Sequence, residues 1–161
     1  MSAELPRTFK VTTVWLLVAA ALFLGVQWWQ QRNQALRFQV QGDVVEIRRG
    51  DDGQYHWPGR INGREVDFLV DTGATGTAIS AALARELRLE SLGDVRSNTA
   101  GGVVNGQVMR VELVLQGGVS AQGLRVVALP GLGDNPLLGM DVLSRLRWQQ
   151  SDGKLRIELR R

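Results

Sequence analysis

The residues best placed for chemistry are Asp71, Thr72 and Gly73, in the stretch FLVDTGATGTAIS from Phe68 to Ser80. Phe68, Leu69 and Val70 lead directly into a carboxylate, and a Thr-Gly step that disfavours helix follows it. An acid at the inner end of an apolar run can serve as a general base toward water, but hydrolysis by that route also needs an acid for the leaving group. Two carboxylates a few ångströms apart supply both, because they resist ionising together and share one proton. Thr72 would anchor such a loop by hydrogen bonding, and Gly73 would let the backbone approach the carboxylate and donate to it. Asp71 is the only aspartate followed by Thr or Ser and then Gly; Asp43, Asp51, Asp52, Asp67, Asp94, Asp134, Asp141 and Asp152 have other successors.

Composition removes the rival chemistries. The chain of 161 residues has no cysteine, which excludes disulfides, thiolate catalysis and Cys-ligated metal. Its one histidine, His56, argues against a His-based metal cage or a Ser-His-Asp triad, and reads as a turn residue packed against Trp57. No metal and no cofactor is expected. The formal charge is +3, but the arginines alternate with acids in REVDF, ARELRLE and KLRIELR and form no basic block with interleaved aromatics, so no nucleic-acid partner is expected.

The elements that must position Asp71 are strands. Asn62-Gly63 between two strand-like runs signals a hairpin, and VDFLVD arrives from it as a strand covered on both faces. Ser80 can cap a helix from Ala81 to about Leu87. A second Asn-Gly, Asn105-Gly106, reads as another hairpin, followed by a long strand that alternates at Val111, Leu113 and Leu115. LRVVALPG is a further strand stopped by Pro130. In NPLLGMDVLSRLRW, Leu137 and Leu138 end a strand, Gly139 follows, and Asp141 is expected to cap a short helix through Leu146. A turn at Asp152-Gly153 introduces the last strand, giving a mostly β domain with two short helices.

Ahead of this domain, VTTVWLLVAAALFLGVQW from Val11 to Trp28 holds no charge. As a helix it would extend about 27 Å, enough for the hydrocarbon core of a bilayer. Trp28 and Trp29 close the run like an interfacial belt, and no small-x-small cleavage site follows it, which favours an uncleaved anchor over a cleaved signal peptide. The expected organisation is a tail over 1–10, a transmembrane anchor over 11–29, a glutamine-rich linker over 30–44 and the functional domain over 45–161. Arg7 and Lys10 on one side are matched by Arg32 and Arg37 on the other, so charge alone does not orient the span. The short tail is the easier side to keep in the cytoplasm, which places the domain outside.

Three segments in order, GRINGREVDFLVDTGAT, NTAGGVVNGQ and PLLGMDVLSRL, resemble the retropepsin-like aspartic proteases, and behind one apolar span they look like the bacterial membrane-anchored members of that clan. The resemblance covers about Tyr55 to Leu146. It implies an all-β, closed, barrel-like fold with one or two short helices, and an aspartic endopeptidase acting on an extended polypeptide. Asp71 would be catalytic, with Thr72, Gly73 and Ala74 supporting its loop. Leu137, Leu138 and Gly139 would lie beneath that loop, and Thr99, Ala100, Gly101 and Gly102 would form a flap over the substrate. One half-site per chain makes a homodimer the economical arrangement, Asp71 facing its copy and strands such as KLRIELR pairing across the interface. Two features depart from the wider family: Thr75 and Met140 stand where retroviral relatives often carry a paired acid and arginine, and TAGG replaces the Thr-Ala-Asn-Gly of the bacterial group. The same fold could instead serve as a non-catalytic, dimeric peptide-binding or membrane-tethered interaction module, but such a module has no need of the Asp71 carboxylate.

Overall fold

The structure, a computed structural model, describes residues 15–26, 38–41, 43–99 and 101–159. Residues 15–26 form helix α1, every residue of it exposed. Among the described residues no helix is long and apolar enough to cross a membrane. The rest of the expected anchor, 11–14 and 27–29, and the tail over 1–10 lie outside the described residues.

The remainder is all-β with two short helices. A sheet runs in the order β3 (His56–Ile61), β4 (Arg64–Val70), β9 (Leu137–Leu138), β5 (Ala78–Ser80), β8 (Ser120–Leu129), β7 (Gly102–Leu115) and β6 (Gly93–Thr99). Because β3 also pairs with β7, six of these strands close into a barrel, with β6 extending from β7. Closure is sealed where the Trp57 indole N–H donates to the Gln116 carbonyl at 2.8 Å. The Asn62-Gly63 turn joining β3 to β4 has both residues at positive φ, 48° and 83°, the twist a two-residue hairpin requires.

Alternation along β7 sends Met109, Val111, Leu113 and Leu115 inward and leaves Arg110, Glu112 and Val114 exposed. With Trp57, Ile61, Phe68, Ile79, Val126 and Leu138 they fill one core, all but removed from water. Each such side chain contributes about 1.5–3 kcal/mol relative to exposure. Helix α2 (Ala81–Glu86) starts where Ser80 Oγ accepts from the Leu83 N–H at 3.1 Å, as the Ser80 cap anticipates, and it buries Leu83 and Ala84.

Several expectations need correction. Asn105-Gly106 makes no hairpin: β7 runs straight through it, and the β6–β7 turn falls beyond Thr99↔Gly102. Gly106 is required there by packing, since a Cβ would lie 2.7 Å from Leu129 Cδ2 and 2.8 Å from the Ala128 carbonyl oxygen. The segment taken as linker contains strand β1 (Phe38–Gln41), whose alternating FQVQ sequence pairs with β2 (Val44–Arg48). KLRIELR cannot pair across an interface, because β11 (Lys154–Glu158) already has β2 on one edge and β10 (Arg147–Ser151) on the other. The free edges of that four-stranded sheet belong to β1 and β10.

Candidate active site

Asp71 leaves the end of β4 and is half-buried, while Thr72 and Gly73 beyond it are exposed. Its backbone N–H donates to the Leu138 carbonyl at 3.0 Å, and its carboxylate oxygen Oδ1 accepts from the Gly73 N–H at 2.8 Å. The main chain thus fixes the position of Asp71, and the third residue of its own motif orients its carboxylate.

The loop is held from below by β9 and helix α3 (Met140–Leu143). β9 pairs in parallel with β4, Leu69↔Leu137 and Val70↔Leu138, and on its other side with β5 through Ala78↔Leu137. Leu138 is fully buried, so an apolar strand underlies the loop. The Met140 N–H donates to the Ala74 carbonyl at 2.9 Å and the Asp141 N–H to the Thr75 carbonyl at 3.2 Å. Gly139 is indispensable at this crossing, because a Cβ there would sit 2.4 Å from the Gly76 carbonyl carbon.

Asp141 does not cap α3. The N-cap is Gly139, which has no side chain to accept a hydrogen bond, and the Asp141 carboxylate is engaged elsewhere. It accepts from the Thr77 N–H at 3.0 Å, the Thr77 hydroxyl at 2.8 Å and its neighbour Val142 N–H at 3.0 Å. Thr77 Oγ1 in turn accepts from the Gly139 N–H at 3.3 Å. Thr77 has no solvent exposure, and its polar atoms are satisfied through this cluster. Sequence reasoning missed Thr77; its only signal was a polar residue at the start of the apolar TAIS strand.

The structure brings Asp71, Gly73, Ala74, Leu138 and Gly139 into one hydrogen-bonded unit with Thr77 and Asp141. Thr99, Gly101 and Gly102 are elsewhere, at the tip of the β6–β7 hairpin, where Thr99 Oγ1 donates to the Gly102 carbonyl at 2.8 Å. Among the described residues that tip makes no hydrogen bond to the Asp71 loop; Ala100 lies outside them.

His56 is also not a turn residue. It opens β3, with Nε2 2.7 Å from Asp52 Oδ2 and Nδ1 3.0 Å from Asp67 Oδ2. The ring ties the Gly50–Gln54 turn to β4, the strand that leads into the Asp71 loop. Its hydrogen bond is the main cause holding the Asp52 carboxyl below the usual aspartate range, with the Gln54 N–H adding to it. Among the described residues no group of His, Cys, Asp and Glu is arranged to hold a metal ion.

This architecture has known counterparts. A retropepsin-like aspartic protease from Rickettsia conorii superposes with a TM-score of 0.56 at 20% identity, covering 74% of this chain and 93% of its own. The EIAV protease, in complex with the inhibitor HBY-793, matches at 20% identity and a TM-score of 0.47 over 60% of this chain and 90% of its own. No curated protein sequence matches the chain. The family described as "gag-polyprotein putative aspartyl protease" matches residues 57–145, which include both the Asp71 loop and the β9–α3 crossing. By that match over more than half its length the chain belongs to this family, and it is an aspartic protease of the retropepsin-like type.

Proposed function

We propose that the chain is a membrane-anchored aspartic endopeptidase, active as a homodimer in which the two Asp71 carboxylates form the catalytic dyad. The observation that carries this reading is the single Asp-Thr-Gly loop per chain, its carboxylate pinned by Gly73 and its outer face, Thr72 and Gly73, exposed rather than packed. In the dimer one Asp71 is protonated and the other is not. The ionised member takes a proton from water as the water oxygen attacks the scissile carbonyl carbon, and the protonated member donates to the carbonyl oxygen. The newly protonated member then gives its proton to the departing amine as the C–N bond breaks, while the other member takes a proton from a hydroxyl of the tetrahedral gem-diol, which collapses to the carboxylic acid and restores the one-proton dyad. The Thr72 hydroxyls stabilise the meeting of the loops, and the Thr99–Gly102 hairpins close over an extended polypeptide.

Residues 11–29 tether the domain to a bacterial inner membrane, with the catalytic part on the periplasmic side. Confinement to a surface raises the effective concentration of chains, so a weak dimer assembles there more readily than in solution. With β11 already paired on both edges, the dimer is held by other surfaces.

The test compares full-length wild-type chain with Asp71→Asn on an unstructured protein substrate between about pH 4 and 7. Wild type cleaves, Asp71→Asn does not, excess Asp71→Asn suppresses wild-type activity through mixed dimers, and specific activity falls on dilution. A monomer with full, dilution-independent activity overturns the dimer. Identical peptide patterns from the two chains overturn the catalytic assignment.

A further inference from the structure

Away from the Asp71 loop, β8 and α3 border a half-open cavity of about 650 Å³ whose walls include Gly123, Leu124, Arg125, Asp141, Val142 and Arg145. Gly123 is in a left-handed conformation, φ 62°, and a Cβ at this position would lie 3.5 Å from Arg110 Cδ. The side chain of Arg110 therefore runs beside Gly123, at the edge of the cavity. Arg110 is also directly opposite Arg125 in the β7–β8 ladder, next to the register shift between Val111 and Leu113. Like charges directly opposite on paired strands destabilise a sheet unless an anion compensates them.

No such anion comes from the described residues: Arg110, Arg125 and Arg145 take part in none of their ion pairs. Asp141 is the one acid in the wall, and its carboxylate is occupied by Thr77 and Val142. Two arginines, Arg125 and Arg145, thus line one concave space with Arg110 beside its Gly123 edge, none of them in an ion pair among the described residues, and their planar donor forks suit carboxylates. The cavity far exceeds a single inorganic anion, and much of its lining is apolar, from residues such as Leu124 and Val142. Acidic side chains on a peptide, with apolar stems and charged ends, fit both features. Helix α3, which borders the cavity, also holds the Asp71 loop through Met140 and Asp141, so the cavity and that loop share one structural support.

We infer that this cavity is an exosite for an acidic stretch of the polypeptide substrate, held by Arg110, Arg125 and Arg145. The inference rests on the peptidase reading for its ligand, but its first test does not require cleavage. Fluorescein-labelled hexaglutamate and hexaglutamine are titrated by anisotropy at low salt into the full-length Asp71→Asn chain. Hexaglutamate is expected to bind at least tenfold tighter. The preference falls at least fivefold in Arg125→Gln/Arg145→Gln and in Arg110→Gln, and survives in Arg96→Gln/Arg156→Gln, which removes exposed arginines from β6 and β11. Circular dichroism checks that each variant is folded. Equal binding of the two peptides, or a preference unchanged in both sets of cavity variants, overturns the exosite. Arg125-dependent binding of phosphatidylglycerol vesicles without hexaglutamate binding overturns the peptide as its occupant. In the wild-type Asp71 background, the double variant should raise KM at least fivefold for a substrate with an acidic tail and leave a neutral-tailed one unchanged. Absence of all cleavage would strike the peptidase reading, while the anisotropy result would still decide the cavity.

Discussion

Replacing Asp141 isolates what holds the Asp71 loop to the body of the domain. Its carboxylate accepts three hydrogen bonds, two of them from Thr77, a residue with no solvent exposure. Asp141→Ala strands the Thr77 N–H and hydroxyl where water cannot reach, and each buried group left unpaired costs about 1–3 kcal/mol. With the lost Val142 contact the total is about 3–6 kcal/mol, a large share of the 5–15 kcal/mol by which a domain of this kind is stable. Asp141→Asn keeps the shape but can present an oxygen on only one side. Its NH2 then meets a donor, either the Thr77 N–H or the Val142 N–H, for a loss of about 1–3 kcal/mol. Urea unfolding reads this directly as a midpoint lowered by about 1 M at an unchanged slope. A cycle with Thr77→Val should give a coupling of at least about 1 kcal/mol, since Val removes only the hydroxyl. An Asn variant within about 0.5 kcal/mol of wild type, additive with Thr77→Val, would refute the assignment of Asp141 as the brace of this loop.

Other expectations follow from single contacts. Gly139→Ala places a methyl 2.4 Å from the Gly76 carbonyl carbon; stability should fall by about 3 kcal/mol and peptidase activity should vanish, measured by urea unfolding and substrate cleavage. Ser80→Ala removes the α2 cap seen at Leu83 N and should cost about 1 kcal/mol with catalysis retained, measured the same way. The Asp52 carboxyl is held below its ordinary range by His56, so its stabilising contribution is complete above about pH 4 and is lost as pH falls through the lower folded value. Asp52→Asn should therefore be less stable than wild type at pH 6, with the gap closing in strong acid, when thermal melts are compared across pH. A gap that widens in acid would reverse the sign and remove His56 as the cause.

The local features were legible in the sequence, and those that depend on distant partners were not. The Asn62-Gly63 hairpin, the Ser80 cap and the strand leading into Asp71 are written in consecutive residues, and a turn or cap needs little beyond its neighbours. Asn105-Gly106 carries the same dipeptide as the true hairpin, yet the packing of Leu129 and Val127 over Gly106 overrides it. Tertiary contact decides between two uses of one glycine. Asp141 looked like a cap because a cap is the commonest local use of an acid before a helix, whereas its actual partner, Thr77, is 64 positions away. The same distance hid Thr77, and the pairing of His56 with Asp67 was hidden because strand register had to be known first. In the Phe38–Gln41 segment, the glutamines suggested a linker, and the period-two alternation that makes it a strand was outweighed.

The placement of β9 between β4 and β5 has a consequence for biosynthesis. Strands that follow each other directly in the chain around Asp71 are separated in the sheet by residues made much later, Leu137 and Leu138. Until that segment leaves the ribosome, Asp71 has no Leu138 carbonyl to fix its backbone, and Thr77 has no Asp141. Long-range pairing of this kind forms late. A nascent chain is therefore expected to be catalytically silent while most of its barrel is already translated, which protects both the chain and its neighbours during synthesis. Stalled nascent chains ending before Leu137 should have a protease-sensitive Asp71 loop, and those extended beyond Leu146 with enough linker to clear the exit tunnel should protect it; equal sensitivity in the two would show that the loop orders without its late strand.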